Sequence, residues 1–137
     1  MEHLESLHVR EAELAGAEVL AEEHGELESR QVWAVVEPGH GVVVVVERSY
    51  GELTQEVYDC RAHEHKVTLG WEASVALAES LGASPKKVAV ALRAIFAAPG
   101  CYLADFMDLL DRSSIPYSYA AEAGGVIAYR PAPRLAP

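Results

Sequence analysis

The hydrophobic pattern is clearest in residues 72–96, where apolar side chains recur every three or four positions along two successive segments. This spacing places them on one face of an α-helix. The positions concerned are Val75, Ala78, Leu81, Val88, Leu92 and Ile95. Gly82 suits the site just past a helix end, Ser84 suits an N-cap and Pro85 suits a first helical turn. The pattern therefore predicts two helices that meet at a tight corner.

A strand-like pattern occupies residues 30–70. Arg30 to Val36 alternates between its two faces, and Val42 to Val46 is a run of five β-branched residues, which favours a central strand. Leu53 to Cys60 alternates again, and a further short strand is predicted around Val67 to Leu69. Because glycine-containing turns separate these runs, the segment predicts an antiparallel meander of three or four strands.

The flanking segments complete a predicted α+β domain. Ala, Leu and Glu dominate the beginning of the chain and favour a helix. A third helix is predicted from Tyr102 to Asp111, and the alternating runs Ile115–Tyr119 and Val126–Tyr129 predict a C-terminal β-hairpin. The expected single domain thus comprises an acidic N-terminal helix (1–29), the meander (30–70), a helical block (71–112), the hairpin (113–130) and a tail (131–137).

Composition limits the classes of function. The chain has 137 residues, of which half are hydrophobic, and a formal net charge of −10. Nine Glu against one Arg in residues 1–29 contribute −8 of that charge. Such charge repels phosphates and argues against a non-specific nucleic-acid binder. No segment has the length and hydropathy of a membrane span or the pattern of a secretory signal, and two cysteines do not form a disulfide framework.

One motif resembles a known superfamily. The motif consists of a small residue, a glycine at the corner, a serine at the cap and a buried aliphatic residue. In this chain they are Ala78, Gly82, Ser84 and Val88. Over residues 72–96 only, this motif resembles the helix-turn-helix of bacterial DNA-binding proteins. The resemblance implies that the second helix enters the major groove. Lys86, Lys87 and Arg93 would then contact DNA, although only Lys86 has an outward position suited to reading a base.

A second candidate site lies at Cys60, His63 and His65. If these residues form a strand, the two imidazoles point to the same face and could bind one metal ion. Cys60 would point to the other face of the strand, so a bulge would be needed to bring its thiol beside the two imidazoles. A Cys60 thiolate paired with a nearby imidazole is a weaker catalytic alternative. Since the chain has no phosphate-binding loop, nucleophile elbow or dinucleotide fingerprint, we expect neither an enzyme nor a bound cofactor.

These patterns lead to one functional hypothesis and two alternatives. We expect a non-enzymatic cytoplasmic regulator, inhibitor or adaptor that binds a protein partner, such as a component of the transcription or other nucleic-acid machinery. The candidate contact residues for this protein partner are Glu18, Glu22, Glu23, Tyr117 and Tyr119. The alternatives are a helix-turn-helix DNA-binding regulator and a metal-binding protein using His63 and His65. No membrane association is expected, and a small homo-oligomer is left open.

Overall fold

The computed structural model describes residues 17–37 and 41–133. Within them, six strands form one antiparallel sheet whose spatial order follows the chain order. The strands are β1 (Glu18–His24), β2 (Glu28–Val36), β3 (Val43–Gly51), β4 (Ala62–Leu69), β5 (Ser118–Ala123) and β6 (Val126–Arg130). The prediction of a small sheet of three or four strands was wrong, because strands formed by both ends of the chain join the central ones.

Four helices accompany the sheet in the described residues. They are α1 (Glu52–Tyr58), α2 (Trp71–Ser80), α3 (Val88–Phe96) and α4 (Leu103–Arg112), with a 3₁₀ turn at Pro85–Lys87 before α3. Val45 and Val67 lie side by side on one face of the sheet and share a single buried core with Leu77, Leu92 and Phe106 from α2, α3 and α4. We call this the helix-covered face and the opposite one the outer face.

The first correction concerns the N-terminal segment. Residues 1–16 of the predicted helix lie outside the described part of the chain, and residues 18–24 form strand β1. β1 pairs with β2 from Glu18 opposite Ala34 to His24 opposite Ser29, and a bulge between Val19 and Ala21 accompanies the burial of Leu20. Pairing with β2 outweighs the local helix propensity of this sequence, which is only a weak preference.

The second correction concerns Leu53 to Cys60, which was predicted as a strand. Residues 52–58 form α1, because Leu53 and Val57 also fit the four-residue spacing of a helix. Glu28 on β2 holds the first turn by accepting hydrogen bonds from the Thr54 N–H, at 3.2 Å, and from the Thr54 hydroxyl. The helix ends where Asp59 adopts the left-handed conformation.

The third correction concerns the C-terminal hairpin, which is part of the main sheet. β4 is longer than the predicted short strand, and β5 pairs with it from Thr68 opposite Ser118 to His63 opposite Ala123. Both hairpin strands therefore continue the sheet and do not form a separate unit beside the helices.

The bent helical pair lies where the sequence predicted it. The Ala83 N–H donates to the Ala78 carbonyl at 2.9 Å, and Gly82 has φ = 68°, a conformation that favours glycine. Ser84 occupies the cap position, but its side chain makes no capping hydrogen bond and a 3₁₀ turn precedes α3. In the part of the chain that the structure describes, no helix has the length and apolar character needed to cross a membrane.

Candidate functional site

Five polar side chains gather on the helix-covered face of the sheet, beyond the apolar core. We call Arg30, Glu47, His63, His65 and Tyr119 the buried polar cluster. Strand register brings them together, because Glu47 lies opposite His65, Ser49 lies opposite both Arg30 and His63, and Val67 lies opposite Tyr119. Strand alternation then directs all five side chains to the same face.

Glu47 is the centre of this cluster. Its Oε2 accepts hydrogen bonds from Arg30 Nε at 2.9 Å and from the Leu103 N–H at 3.0 Å, and Arg30 Nη2 lies 2.8 Å away. Its Oε1 lies 2.6 Å from His65 Nε2. Burial alone would raise the pKa of Glu47, but the hydrogen bonds and charges of His65, Leu103 and Arg30 lower it below its ordinary value. The buried carboxylate is therefore held ionised.

His65 connects Glu47 to Tyr119. Its second ring nitrogen, Nδ1, lies 2.9 Å from the Tyr119 hydroxyl. Burial and the nearby Tyr58 and Glu47 raise the pKa of Tyr119, so its hydroxyl keeps its proton. Glu47 accepts the Nε2–H hydrogen bond of His65, and the Tyr119 hydroxyl is the hydrogen-bond partner of Nδ1. Both nitrogens of His65 then have protein partners.

His63 packs at the edge of the same cluster. Its ring stacks on Tyr58 of α1, with centroids 3.5 Å apart and planes 2° from parallel, and lies 4.9 Å from the His65 ring. Burial, followed by the charge of His65, lowers the pKa of His63 from 6.5 to about 4 despite an opposing effect of Glu47. The cluster thus keeps His63 neutral at neutral pH.

The predicted metal ligands lie on one face, as the strand pattern required, but His65 is fully engaged by Glu47 and Tyr119. Cys60 points its thiol to the Ala62 carbonyl at 2.9 Å instead of joining the histidines. No group of three or more His, Cys, Asp or Glu residues within 17–37 and 41–133 is arranged to hold a metal ion.

The predicted protein-contact residues are divided between surface and interior. Glu22 and Glu23 are exposed on β1, and the hydrogen bonds from His24 and Gln31 lower the pKa of Glu22. Tyr117 is buried, with its hydroxyl donating to Asp111 at 3.0 Å, and the partly buried Tyr119 belongs to the polar cluster. These two tyrosines therefore offer little surface to a partner.

The predicted DNA contacts also have different surroundings. Lys86 and Lys87 are exposed in the 3₁₀ turn before α3. Arg93 forms an ion pair with Glu18, so one residue proposed for DNA and one proposed for a protein partner neutralise each other. This ion pair joins α3 to β1. Lys86 and Lys87 are then the cationic residues of the helical corner whose charge is available to a ligand.

Sequence patterns missed a surface formed by α1 and the turn between β1 and β2. Leu27, Leu53 and Val57 are 61%, 57% and 62% exposed. Leu53 and Val57 lie one helical turn apart, and the Glu52 N–H donates to the Leu27 carbonyl at 2.8 Å, which places Leu27 beside the start of α1. Each of them has an exposed carboxylate as its neighbour in the chain, at Glu26, Glu52 and Glu56. We call this surface the acid-rimmed apolar patch.

A correct helix assignment for residues 52–58 would have revealed half of this patch. Leu53 and Val57 then fall on one side of the helix, next to the buried Thr54, and the structure leaves both exposed. The position of Leu27 depends on the β2–β3 pairing, which brings Glu28 opposite Gly51.

Comparisons with family models, with curated proteins and with solved structures find no match to this chain.

Proposed function

We propose that this protein is a non-enzymatic regulator or adaptor that binds a protein partner through the acid-rimmed apolar patch. The observation that carries this proposal is the exposure of Leu27, Leu53 and Val57 on adjoining segments. Leu53 and Val57 contribute little to the core from these positions. An apolar centre with a polar rim is typical of a protein interface.

The rim determines the chemistry of the partner. Glu26, Glu52 and Glu56 border the patch, and Glu22 and Glu23 extend the acidic surface along β1. A partner with an apolar centre and basic surroundings would complement it, and basic surfaces of this kind belong to proteins that handle nucleic acids. A component of the transcription machinery fits this description. The free cysteines Cys60 and Cys101 are in keeping with a cytoplasmic setting.

The buried polar cluster supports a structural role for its ionisable groups. Glu47 and His65 direct their polar atoms to Arg30, Leu103 and Tyr119, and both lie beneath the protein surface. A general acid or base must come within hydrogen-bonding reach of a substrate. We assign these groups to holding β2, β3, β4, β5 and the start of α4 together, with recognition left to the exposed patch.

The test compares affinity capture by three forms of the protein from a nuclease-treated lysate. In the first variant, Leu53→Arg and Val57→Arg place two cations at the centre of the patch. The control, Val90→Arg, changes an exposed apolar residue of α3 that lies outside the patch. Circular dichroism and thermal unfolding check that all three forms are folded.

We expect one or more specific proteins to be retained by the wild type and by Val90→Arg and lost with the double variant. Retained proteins should have basic surfaces, and retention should weaken with increasing salt. Equal retention by all three forms, or the absence of any specific protein retained by the wild type, would overturn the proposal.

A further inference from the structure

The edge of the sheet at β6 has the properties of a pairing surface. β6 is the last strand in the sheet order and pairs with β5 alone among the described strands. All five of its residues are exposed, and Val126, Ile127 and Tyr129 are 72%, 69% and 67% exposed. An uncovered strand edge with apolar side chains presents unpaired backbone groups to another chain.

The turn between β5 and β6 fixes which backbone groups point away from the sheet. Gly124 and Gly125 have φ values of 57° and 83°, as a two-residue type I′ hairpin requires. In such a hairpin the flanking residues Ala123 and Val126 exchange backbone hydrogen bonds with each other, and so does every second pair of opposed residues along the two strands. The backbone groups of the residues between those pairs point away from the partner strand. The N–H and C=O groups of Ile127 and Tyr129 consequently face the open edge.

The sequence of β6 is complementary to itself in this geometry. We propose that β6 pairs antiparallel with β6 of a second copy of this chain, about a two-fold axis at Ala128. Ile127 of each copy then lies opposite Tyr129 of the other, and the outward backbone groups of these two residues form four N–H···O=C hydrogen bonds. The two sheets join into one sheet of twelve strands, six from each copy.

The side chains agree with this register. Ile127 and Tyr129 lie on the same face of β6, so the axis creates two aromatic–aliphatic pairs, which stabilise neighbouring strands. On the other face Ala128 meets its own copy, where a small side chain suits the close approach. Arg130 lies opposite Val126, so no like charges face each other.

The other edge of the sheet has the features that prevent such pairing. β1 carries the exposed carboxylates of Glu22 and Glu23 and a bulge near Leu20. Charges and bulges are the usual protection of an edge strand. A contact between β6 of one copy and β1 of another would be head to tail and would leave a free edge to which further copies could add, whereas pairing of β6 with β6 stops at two copies.

Engineered cysteines test the register directly. In a Cys60→Ser, Cys101→Ser background, Ala128→Cys places two thiols across the axis, with Cα atoms about 4.5 Å apart as in a non-hydrogen-bonded pair. That distance is within disulfide range. The matched control, Val126→Cys, lies opposite Arg130 of the second copy and about four residues from its own counterpart.

We expect Ala128→Cys to form a covalent dimer under mild oxidation and Val126→Cys to remain mostly monomeric at the same concentration. Equal cross-linking of the two variants would overturn the proposed register. Cross-linking of neither variant would overturn the dimer itself.

Sedimentation of the full chain without cysteine changes gives an independent measurement. We expect a monomer–dimer equilibrium that saturates at two copies and that Ile127→Lys with Tyr129→Lys abolishes. The Leu53→Arg, Val57→Arg variant should dimerise like the wild type, so failure of the patch and failure of this edge are distinguishable. A strictly monomeric wild type, growth beyond two copies, or dimerisation unaffected by the lysines would each contradict the proposal.

Discussion

Glu47 Oε1 lies 2.6 Å from His65 Nε2, and the two residues face each other directly across β3 and β4. Arg30 completes the arrangement from β2 by contacting the other carboxylate oxygen of Glu47. An acid, a base and a cation are thus buried together in three neighbouring strands of the sheet. Their mutual contacts make their burial tolerable, and this dependence can be measured.

Removal of the buried carboxylate should be far more costly than removal of an exposed one. Glu47→Ala leaves Arg30 buried without its main counter-ion, and we expect a loss of about 3–5 kcal/mol in the free energy of unfolding. Glu23 also contacts Arg30, at 3.4 Å, but its side chain is 60% exposed against 10% for Glu47. Glu23→Ala should cost about 0–1 kcal/mol. Urea unfolding measures both, and similar losses for the two variants would contradict the assigned role of Glu47.

Protein stability should fall as pH decreases through the range set by His63. Between its ordinary pKa of 6.5 and its folded value of about 4, the unfolded chain binds a proton that the folded chain excludes. The free energy of unfolding should therefore decrease by up to about 3 kcal/mol across this interval. Glu47, with its lowered pKa, adds a further loss only below its ordinary value of 4.5.

The variant His63→Phe should flatten the upper part of this pH dependence. Phenylalanine keeps an aromatic ring against Tyr58 but cannot be protonated. Urea unfolding from pH 8 to pH 4 separates two effects, since the value at pH 8 reports any change in packing and the slope below pH 6.5 reports titration. An unchanged slope would show that His63 is not responsible for the acid sensitivity.

Two glycines should respond differently to the same substitution. Gly51 has φ = 139°, and a Cβ there would collide with the Leu27 carbonyl oxygen and lie 2.7 Å from the Glu28 Cα. Gly82 has φ = 68°, but a Cβ there would meet no atom within 4 Å. We expect Gly82→Ala to lower the free energy of unfolding by about 1–2 kcal/mol, from backbone strain alone. Gly51→Ala should lower it more, because the backbone at Leu27 and Glu28 must also move away. Equal thermal shifts would contradict this difference.

The helical corner should not confer DNA binding. Lys86 and Lys87 are exposed, but Arg93 is paired with Glu18 and the whole chain carries a net charge of −10. We expect no sequence-specific gel shift with genomic fragments at moderate salt. Lys86→Glu with Lys87→Glu should leave the captured proteins unchanged. A specific shift that these substitutions abolish, while Arg112→Glu on α4 preserves it, would favour the DNA-binding alternative.

The elements that were predicted well are those whose sequence signals are local. Gly82 and the apolar spacing around it define the corner within a few residues, and the hairpin near Gly124 and Gly125 follows from its turn. The strand parity of His63 and His65 correctly placed both rings on one face. Their partner Glu47 was not predicted, because it lies 18 positions from His65 and only the pairing of β3 with β4 brings the two together.

The sequence alone determined the acidic charge, the single helical corner and the alternation that makes β-strands, because these depend on residue type and on spacing over a few positions. Tertiary structure decided that residues 18–24 form a strand, although their local preference is for a helix. In the same way it decided that residues 52–58 form a helix, although their apolar spacing fits either a strand or a helix. It also decided which carboxylates are buried and which apolar side chains stay exposed. Hydrogen bonding between strands and burial of the shared core act over long sequence distances, and these energies exceed the small differences in local propensity.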